Sequence, residues 1–311
     1  MENIIFMGTP DFAVPALKAI HNSKHNICAV VTNPDKPAGR GQKLLASAVK
    51  QAAEEFGYPI LQPEKLNSPN FLNEIKSLNP SIMVVVAFKK LPSKLFNLAE
   101  HGAVNIHASL LPKYRGAAPI HHAVLNGDTE TGLTIFQIND KIDTGNLICQ
   151  KKIKIEKDDT TGSLWTKLSH LGGDIILNTL DQFDLEEVKY ISQNNSEATK
   201  APKIKPEDLL INWENPTKTI QNKIRAFAPK PGAYTTLNGK RIKIFSTEIG
   251  ELNENTRLDY PGRIKTNKNK ITIKTGDGIL NVLELQTEGK PRMDVKSYLA
   301  GNKITEEAKC Q

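Results

Sequence analysis

The 311-residue chain holds only three cysteines, Cys28, Cys149 and Cys310, odd in number and far apart. That excludes a disulfide-stapled miniprotein and leaves no zinc-knuckle spacing, so the thiols read as reduced. Long apolar runs are missing as well. The longest, residues 82–88 (IMVVVAF), is far short of the roughly 20 residues of a bilayer span and reads as a buried strand. No membrane association is expected. The opening MENIIFMGTP has no basic stretch followed by a long apolar segment. Nothing there marks the chain for export, and the cytoplasm is the expected compartment. Glycine-rich phosphate motifs are absent too: Gly8 is followed by Thr9 and Pro10 rather than by G-x-G-x-x-G, and no G-x-x-x-x-G-K-[ST] occurs. Neither the dinucleotide fingerprint nor a P-loop is present.

What remains is an ordinary soluble composition, 39% hydrophobic and 24% charged, long enough for about two domains. Arginine is scarce, 7 residues against 34 lysines, and the net charge is +7. Residues 206–311 carry 18 basic and 13 acidic side chains, a net +5, while residues 1–205 hold only +2. Such an excess is usually a solvated surface. Concentrated in one third of the chain and made mostly of lysine, it also suits diffuse attraction to phosphates.

Short apolar runs alternate with helix-like segments through the first half. Residues 3–7, 26–32, 82–88 and 103–107 read as strands, with helices predicted over 12–20, 46–56 and 71–78. Strands apolar throughout, separated by helices, predict a doubly wound α/β domain with a mostly parallel sheet covered on both faces. Further strands are expected at 133–138 and 147–155, then a long helix over 162–180 capped by Asp159 or Thr160. Residues 192–206 (SQNNSEATKAPKIKP) are polar and lack an apolar period, which reads as an exposed linker. The predicted organisation is a catalytic domain over 1–189, a linker over 190–205 and a second domain over 206–311. In the second domain a helix over 216–227 precedes strands and hairpins. Asn238-Gly239 and Asp277-Gly278 each sit between strand-like runs, the signature of type I′ hairpins. A small β-barrel is expected there, an OB-like one being one candidate.

The informative stretch is 104–119, VNIHASLLPKYRGAAP. On a strand, Asn105 and His107 project from one face at the carboxyl end of the sheet, where open α/β folds bind ligands. Ser109, Leu110, Leu111 and Pro112 form a loop stiffened by proline, and Pro119 suits the first position of a helix. By themselves these residues also fit a turn cap and a hydrogen-bonded core histidine. Outside this stretch, residues 34–43 (PDKPAGRGQK) carry Lys36, Arg40 and Lys43 among prolines and glycines. A basic loop of that kind can reach phosphates or unpaired bases.

The motif N-x-H-x-S-L-L-P followed by R-G-x-x-P, here Asn105, His107, Ser109 to Pro112, Arg115, Gly116 and Pro119, resembles that of the formyltetrahydrofolate-dependent formyltransferases and hydrolases. Their downstream Asp-Thr-Gly element is matched by Asp143-Thr144-Gly145. Gly8 to Phe12, the 34–43 loop, Ile211-Asn212-Trp213, Ile224 to Phe227 and Pro231 to Tyr234 extend the likeness over nearly the whole chain. They resemble the members that act on initiator methionyl-tRNA. The glycinamide ribonucleotide enzymes resemble only the catalytic domain, whereas sugar-nucleotide N-formyltransferases, which can carry a similar C-terminal barrel, are the alternative. One departure is Ala87-Phe88-Lys89-Lys90-Leu91-Pro92, where the family often has Ala-Tyr-Gly before Leu-Pro.

The resemblance implies acyl transfer from 10-formyltetrahydrofolate to the free α-amino group of methionyl-tRNA, without a metal. Asn105, His107 and Asp143 would be catalytic, two donating to the developing oxyanion and Asp143 relaying a proton. Ser109, Leu110, Leu111 and Pro112 would line the folate pocket, with Lys36, Arg40 and Lys43 meeting the tRNA. A monomer is expected.

Overall fold

The computed structural model describes residues 1–38, 43–252, 258–302, 304 and 309–310. The chain divides into two compact units. One comprises Met1–Pro119, Glu130–Ile153 and Trp165–Pro202; the other comprises Ile120–Thr129, Lys154–Leu164 and Lys203–Gln311.

In the first unit the strands are β1 (Asn3–Gly8), β2 (Asn26–Val31), β3 (Lys36–Ala38), β4 (Lys43–Leu45), β5 (Ile60–Leu61), β6 (Ile82–Val86), β7 (Ala103–His107), β8 (Glu130–Gln137) and β9 (Leu147–Lys154). Seven of them form one sheet in the order β5-β2-β1-β6-β7-β8-β9, while β3 and β4 pair as a separate antiparallel hairpin. β5, β2, β1, β6 and β7 run parallel, and β8 reverses against β7. The helices are α1 (Val14–His21), α2 (Ala48–Glu55), α3 (Pro69–Ser77), α4 (Ser93–Phe96) and, from Trp165 on, α6 (Thr161–Asp184), while α5 (Pro119–Leu125) belongs after its first residue to the second unit. Both faces of the central strands are covered, as their uninterrupted apolar sequence requires: β6 is buried at every position. Ile5, Met7, Met83 and Val85 pack with Phe71 and Ile75 of α3 and Leu95 of α4. On α6, Gly172 and Gly173 let the helix come close to Ile106, Leu133 and the Pro15 carbonyl.

Two sequence expectations shift in detail. β6 stops at Val86 rather than 88 because Ala87 turns the chain with φ +48°. The left-handed residue is therefore Ala87, and Lys89, which stands where the family has glycine, needs no special backbone. The stretch 190–205, marked by composition as a linker, is tied down for most of its length. Leu147 and Ile191 exchange backbone hydrogen bonds of 2.8 and 2.9 Å, Arg115 N–H donates to the Thr199 carbonyl at 2.9 Å, and Ala201 N–H returns to the Arg115 carbonyl at 2.7 Å. A polar segment can lie bound in this way because backbone pairing asks nothing of its side chains.

The second unit contains α7 (Thr217–Phe227), β10 (Ala233–Leu237), β11 (Lys240–Ile249), β12 (Ile264–Thr266), β13 (Ile271–Lys274), β14 (Ile279–Thr287), β15 (Met293–Asp294) and α8 (Val295–Gly301). Its sheet runs β10-β11-β14-β13-β12, with β15 on β14. Cys310 bridges to Leu237 on β10 and Lys309 to Arg263 beside β12, so the last residues join the two edges of the curled sheet into a small barrel. That deals with the edge strands. Trp213, Ile224, Phe227, Ile244, Ile273 and Leu285 lie in its core. Asn238 (φ +50°) and Gly239 (φ +73°) form the expected I′ turn. Asp277-Gly278 does not: neither residue has positive φ, and the Asp277 carboxylate instead accepts from the N–H and hydroxyl of Thr217, at 2.7 and 2.6 Å, at the start of α7. These hydrogen bonds from Thr217 hold the Asp277 carboxyl below the usual carboxylate range. Two short pieces from earlier in the chain join this unit through specific contacts. Leu125 packs on its core, His121 lies beside Phe227, and the buried Arg225 donates to the Asp159 carbonyl at 2.8 Å and to Asn222 Oδ1 at 2.8 Å.

Candidate active site

The site begins at the carboxyl end of β7. Asn105 is paired with Val85 and Phe136 in the neighbouring strands, and His107 with Thr134. His107 is buried, and its Nε2 lies 2.9 Å from the Tyr114 carbonyl oxygen. A carbonyl only accepts, so Nε2 carries the hydrogen and Nδ1 is the nitrogen left for chemistry. Nδ1 faces Asp143, 3.8 Å from Oδ2. The half-buried Asn105 side chain makes no hydrogen bond among the described residues, so its amide is available to a ligand.

Asp143 is held from several sides. Its Oδ2 accepts the Gly116 N–H at 2.7 Å, and its backbone sits in the left-handed region at φ +54°. Gly145 follows two residues later, where an added Cβ would lie 1.6 Å from the Gln137 carbonyl oxygen. Only glycine fits there, which gives the Asp-Thr-Gly element its physical reason. Gln193 completes the loop: its Nε2 donates to the carbonyls of Asp143, at 3.0 Å, and Gly145, at 2.8 Å. Its Oε1 accepts from Nε and Nη2 of Arg115 at 3.1 and 2.6 Å. Composition puts Gln193 in a linker, and its neighbours Ser192 and Asn194 are polar like itself, so no local signal marks it.

The loop after β7 has its own internal scaffold. Ser109 is fully buried, its hydroxyl donating to the Lys113 carbonyl at 2.7 Å while its carbonyl accepts from Thr134 Oγ1 at 2.6 Å. Thr134 Oγ1 also accepts the Leu111 N–H, and Gln150 donates to the Leu111 carbonyl. Leu111 packs against Phe136 and Leu147. Of the four residues expected to line a pocket, only Leu110 and Pro112 are partly exposed; Ser109 and Leu111 are spent on shaping the loop. α5 starts at Pro119, as expected.

The basic loop is anchored at its root. Thr32 and Ser47, at its two ends, share a hydroxyl hydrogen bond of 2.7 Å. Asp35 receives Lys50 Nζ at 2.6 Å and Gln62 Nε2 at 2.9 Å, and these two donors hold its carboxyl below the usual range. Lys36 is exposed on β3, with Leu44 and Leu45 exposed on β4. Arg40 lies outside the described residues, as does the side chain of Lys43. The site residues thus fall into two groups, the Asn105, His107 and Asp143 set and the 34–43 loop. Among the described residues, no group of three or more His, Cys, Asp or Glu is placed to hold a metal ion.

Residues 2–180 match the formyl transferase family, and residues 203–303 match the formyl transferase C-terminal domain. A methionyl-tRNA formyltransferase of Geobacter metallireducens is 43% identical over 304 residues, covering 97% of this chain and 96% of that protein. Another, from Caldanaerobacter subterraneus, is 44% identical over 307 residues and covers 97% and 98%. Among solved structures, WlaRD, a sugar 3N-formyl transferase crystallised with dTDP and 5-N-formyl-THF, superposes with a TM-score of 0.68. It is 23% identical and covers 94% of this chain and 99% of its own, a likeness of fold.

Proposed function

The chain belongs to the formyl transferase family, and from that premise we infer how its residues divide the work. The enzyme transfers the formyl group of 10-formyltetrahydrofolate to the α-amino group of methionyl-tRNA, the acceptor of its 43% and 44% identical relatives. The observation that carries the site assignment is the pairing of Nδ1 of His107 with Asp143 beside an unengaged Asn105 amide. That donor set suits a carbonyl oxygen that gains negative charge.

The attacking amine needs little activation, since an α-amino group has a pKa of roughly 7.7 to 8 and an adjacent ester lowers it further. Bound folate supplies an activated formyl group. Asn105 donates to the formyl oxygen as charge develops, and His107 donates from Nδ1, because Nε2 is committed to Tyr114. Asp143 stabilises the protonated imidazole and takes the proton lost by the amine, directly or through a water; as the C–N10 bond of the tetrahedral intermediate breaks, that proton is passed to the leaving N10, giving tetrahydrofolate and the formylated amine. Gly116 N–H holds one carboxylate oxygen of Asp143 and so fixes its direction. No covalent enzyme intermediate is required. Leu110 and Pro112 face the folate, and Ser109 and Leu111 support them from within the loop.

For the tRNA, Lys36, Arg40 and Lys43 meet the acceptor end, where an unpaired terminus is easier to reach than an A-form groove. The basic 206–311 region contributes diffuse phosphate contacts. The enzyme is taken to act as a monomer. A tRNA substrate supports a cytoplasmic location, and no described helix is long and apolar enough to cross a membrane. The test is a formyl-transfer assay offering methionyl-tRNA and amino-sugar nucleotides side by side. Transfer to methionyl-tRNA alone is expected; preferential transfer to the sugar would overturn the assignment.

A further inference from the structure

Gln193 touches both loops framing the catalytic pair, Arg115 on one side and Asp143 and Gly145 on the other. Its amide orientation is forced by its partners: arginine only donates, so Oε1 faces Arg115, and carbonyls only accept, so Nε2 faces Asp143 and Gly145. All four hydrogen-bonding positions of the amide are used, two on each end. Arg115 is in turn fixed by Asn195 Oδ1, at 2.8 Å, and by backbone pairing with Thr199 and Ala201. The residue after Arg115, Gly116, holds the Asp143 carboxylate. One amide therefore locks the backbone of Asp143 to the same strip of chain that presents the N–H gripping its side chain.

The left-handed backbone of Asp143 is where this brace acts. Aspartate enters the left-handed region more readily than most non-glycine residues, yet still at some cost, so contacts on the turn help to hold it at φ +54°. Without the two bonds from Nε2 the 143–145 turn loses its restraint on the side facing Arg115, and the carboxylate can swing away from Nδ1 of His107. We propose that Gln193 is a positioning residue for formyl transfer, setting the Asp143 carboxylate against His107 without itself touching substrate. This rests on the reading of Asp143 and His107 given above.

The substitution that isolates the role is Gln193→Glu. It keeps size and a partner for Arg115 but cannot donate to the two carbonyls. Gln193→Met, of similar volume, removes both ends. Each is expected to lower kcat by about 10²-fold, a loss that misplacing a catalytic group by about an ångström can cause. KM for methionyl-tRNA and for 10-formyltetrahydrofolate should stay within about twofold, and the pH profile of kcat should change shape. Activity is to be expressed per folded molecule, with the folded fraction taken from binding of a non-transferable folate analogue. Asp143→Asn is measured in parallel. If Asp143→Asn is inactive while both Gln193 variants keep kcat within twofold, the positioning role is wrong. A loss confined to folded fraction or shared equally by both KM values also overturns it, since that is what a purely structural residue would give. An active Asp143→Asn overturns the premise instead.

Discussion

Nδ1 of His107 and Oδ2 of Asp143 stand 3.8 Å apart, while Nε2 of the same ring is bound at 2.9 Å to the Tyr114 carbonyl. The imidazole is thus fixed on one side and free on the other, and the free side faces the carboxylate. His107→Ala and Asp143→Asn should each reduce single-turnover formyl transfer by at least about 10²-fold, in the range typical of a positioned proton-transfer group. Asn at 143 can still accept the Gly116 N–H, so folate-analogue affinity should remain within a fewfold of wild type. Calorimetric titration with the analogue checks the second half of that statement.

At the root of the basic loop, Lys50 and Gln62 both grip Asp35. A loop that must meet an RNA end gains affinity by being held in place beforehand. Lys50→Met should raise KM for methionyl-tRNA roughly tenfold, equivalent to about 1.4 kcal/mol, and leave KM for the folate unchanged. Lys50→Arg should restore much of the loss. Steady-state kinetics varying each substrate in turn separates these outcomes, and an equal rise in both KM values would contradict the loop's proposed role.

Lysine-dominated binding predicts strong salt dependence. The affinity for methionyl-tRNA should fall linearly on a log–log plot against monovalent salt, and Lys36→Ala or Lys43→Ala should each reduce the slope by about 0.7, the release expected for one phosphate contact on a single strand. Filter binding or fluorescence titration at several salt concentrations measures it. An unchanged slope in both variants would remove those residues from the contact.

His25 lies buried in the first unit, its Nδ1 accepting the Glu2 N–H at 3.2 Å and its Nε2 3.3 Å from Asp181 Oδ1. Burial pushes its pKa below the ordinary 6.5, only partly offset by Asp181. The unfolded chain therefore takes up this proton at a higher pH than the folded one does. The stability contributed by neutral His25 is full above about pH 6.5 and declines as pH falls toward the lowered folded value. Thermal midpoints between pH 7 and pH 5 should drop less steeply in His25→Gln than in the wild-type protein.

Arg225 is buried and donates to the Asp159 carbonyl and to Asn222. Arg225→Met strands those acceptors and should destabilise the second unit by about 3 kcal/mol. Arg225→Lys should not rescue it, because a single ammonium does not reproduce the planar fork. Urea unfolding followed by the fluorescence of Trp213, buried in that unit, reads the change.

The sequence by itself determined the layered α/β unit, because strands such as β6 are apolar at every position and only a doubly covered sheet accepts them. It also determined the I′ turn at Asn238-Gly239, where two positive φ angles demand those residue types; strand spacing put Asn105 and His107 on one face, while Asp143 was singled out only by its resemblance to the family's Asp-Thr-Gly element. Only the tertiary structure decided which imidazole nitrogen is free, since that depends on the Tyr114 carbonyl seven residues away folding back onto the ring. It likewise turned Ser109 inward, gave Asp277 to the start of α7 rather than to a hairpin turn, and brought Gln193 from an apparent linker onto Asp143. Periodicity and turn chemistry are local and survive in the sequence. A polar side chain's partner is chosen by what the fold places within about 3 Å of it, and nothing in the neighbouring residues of Gln193 records that choice.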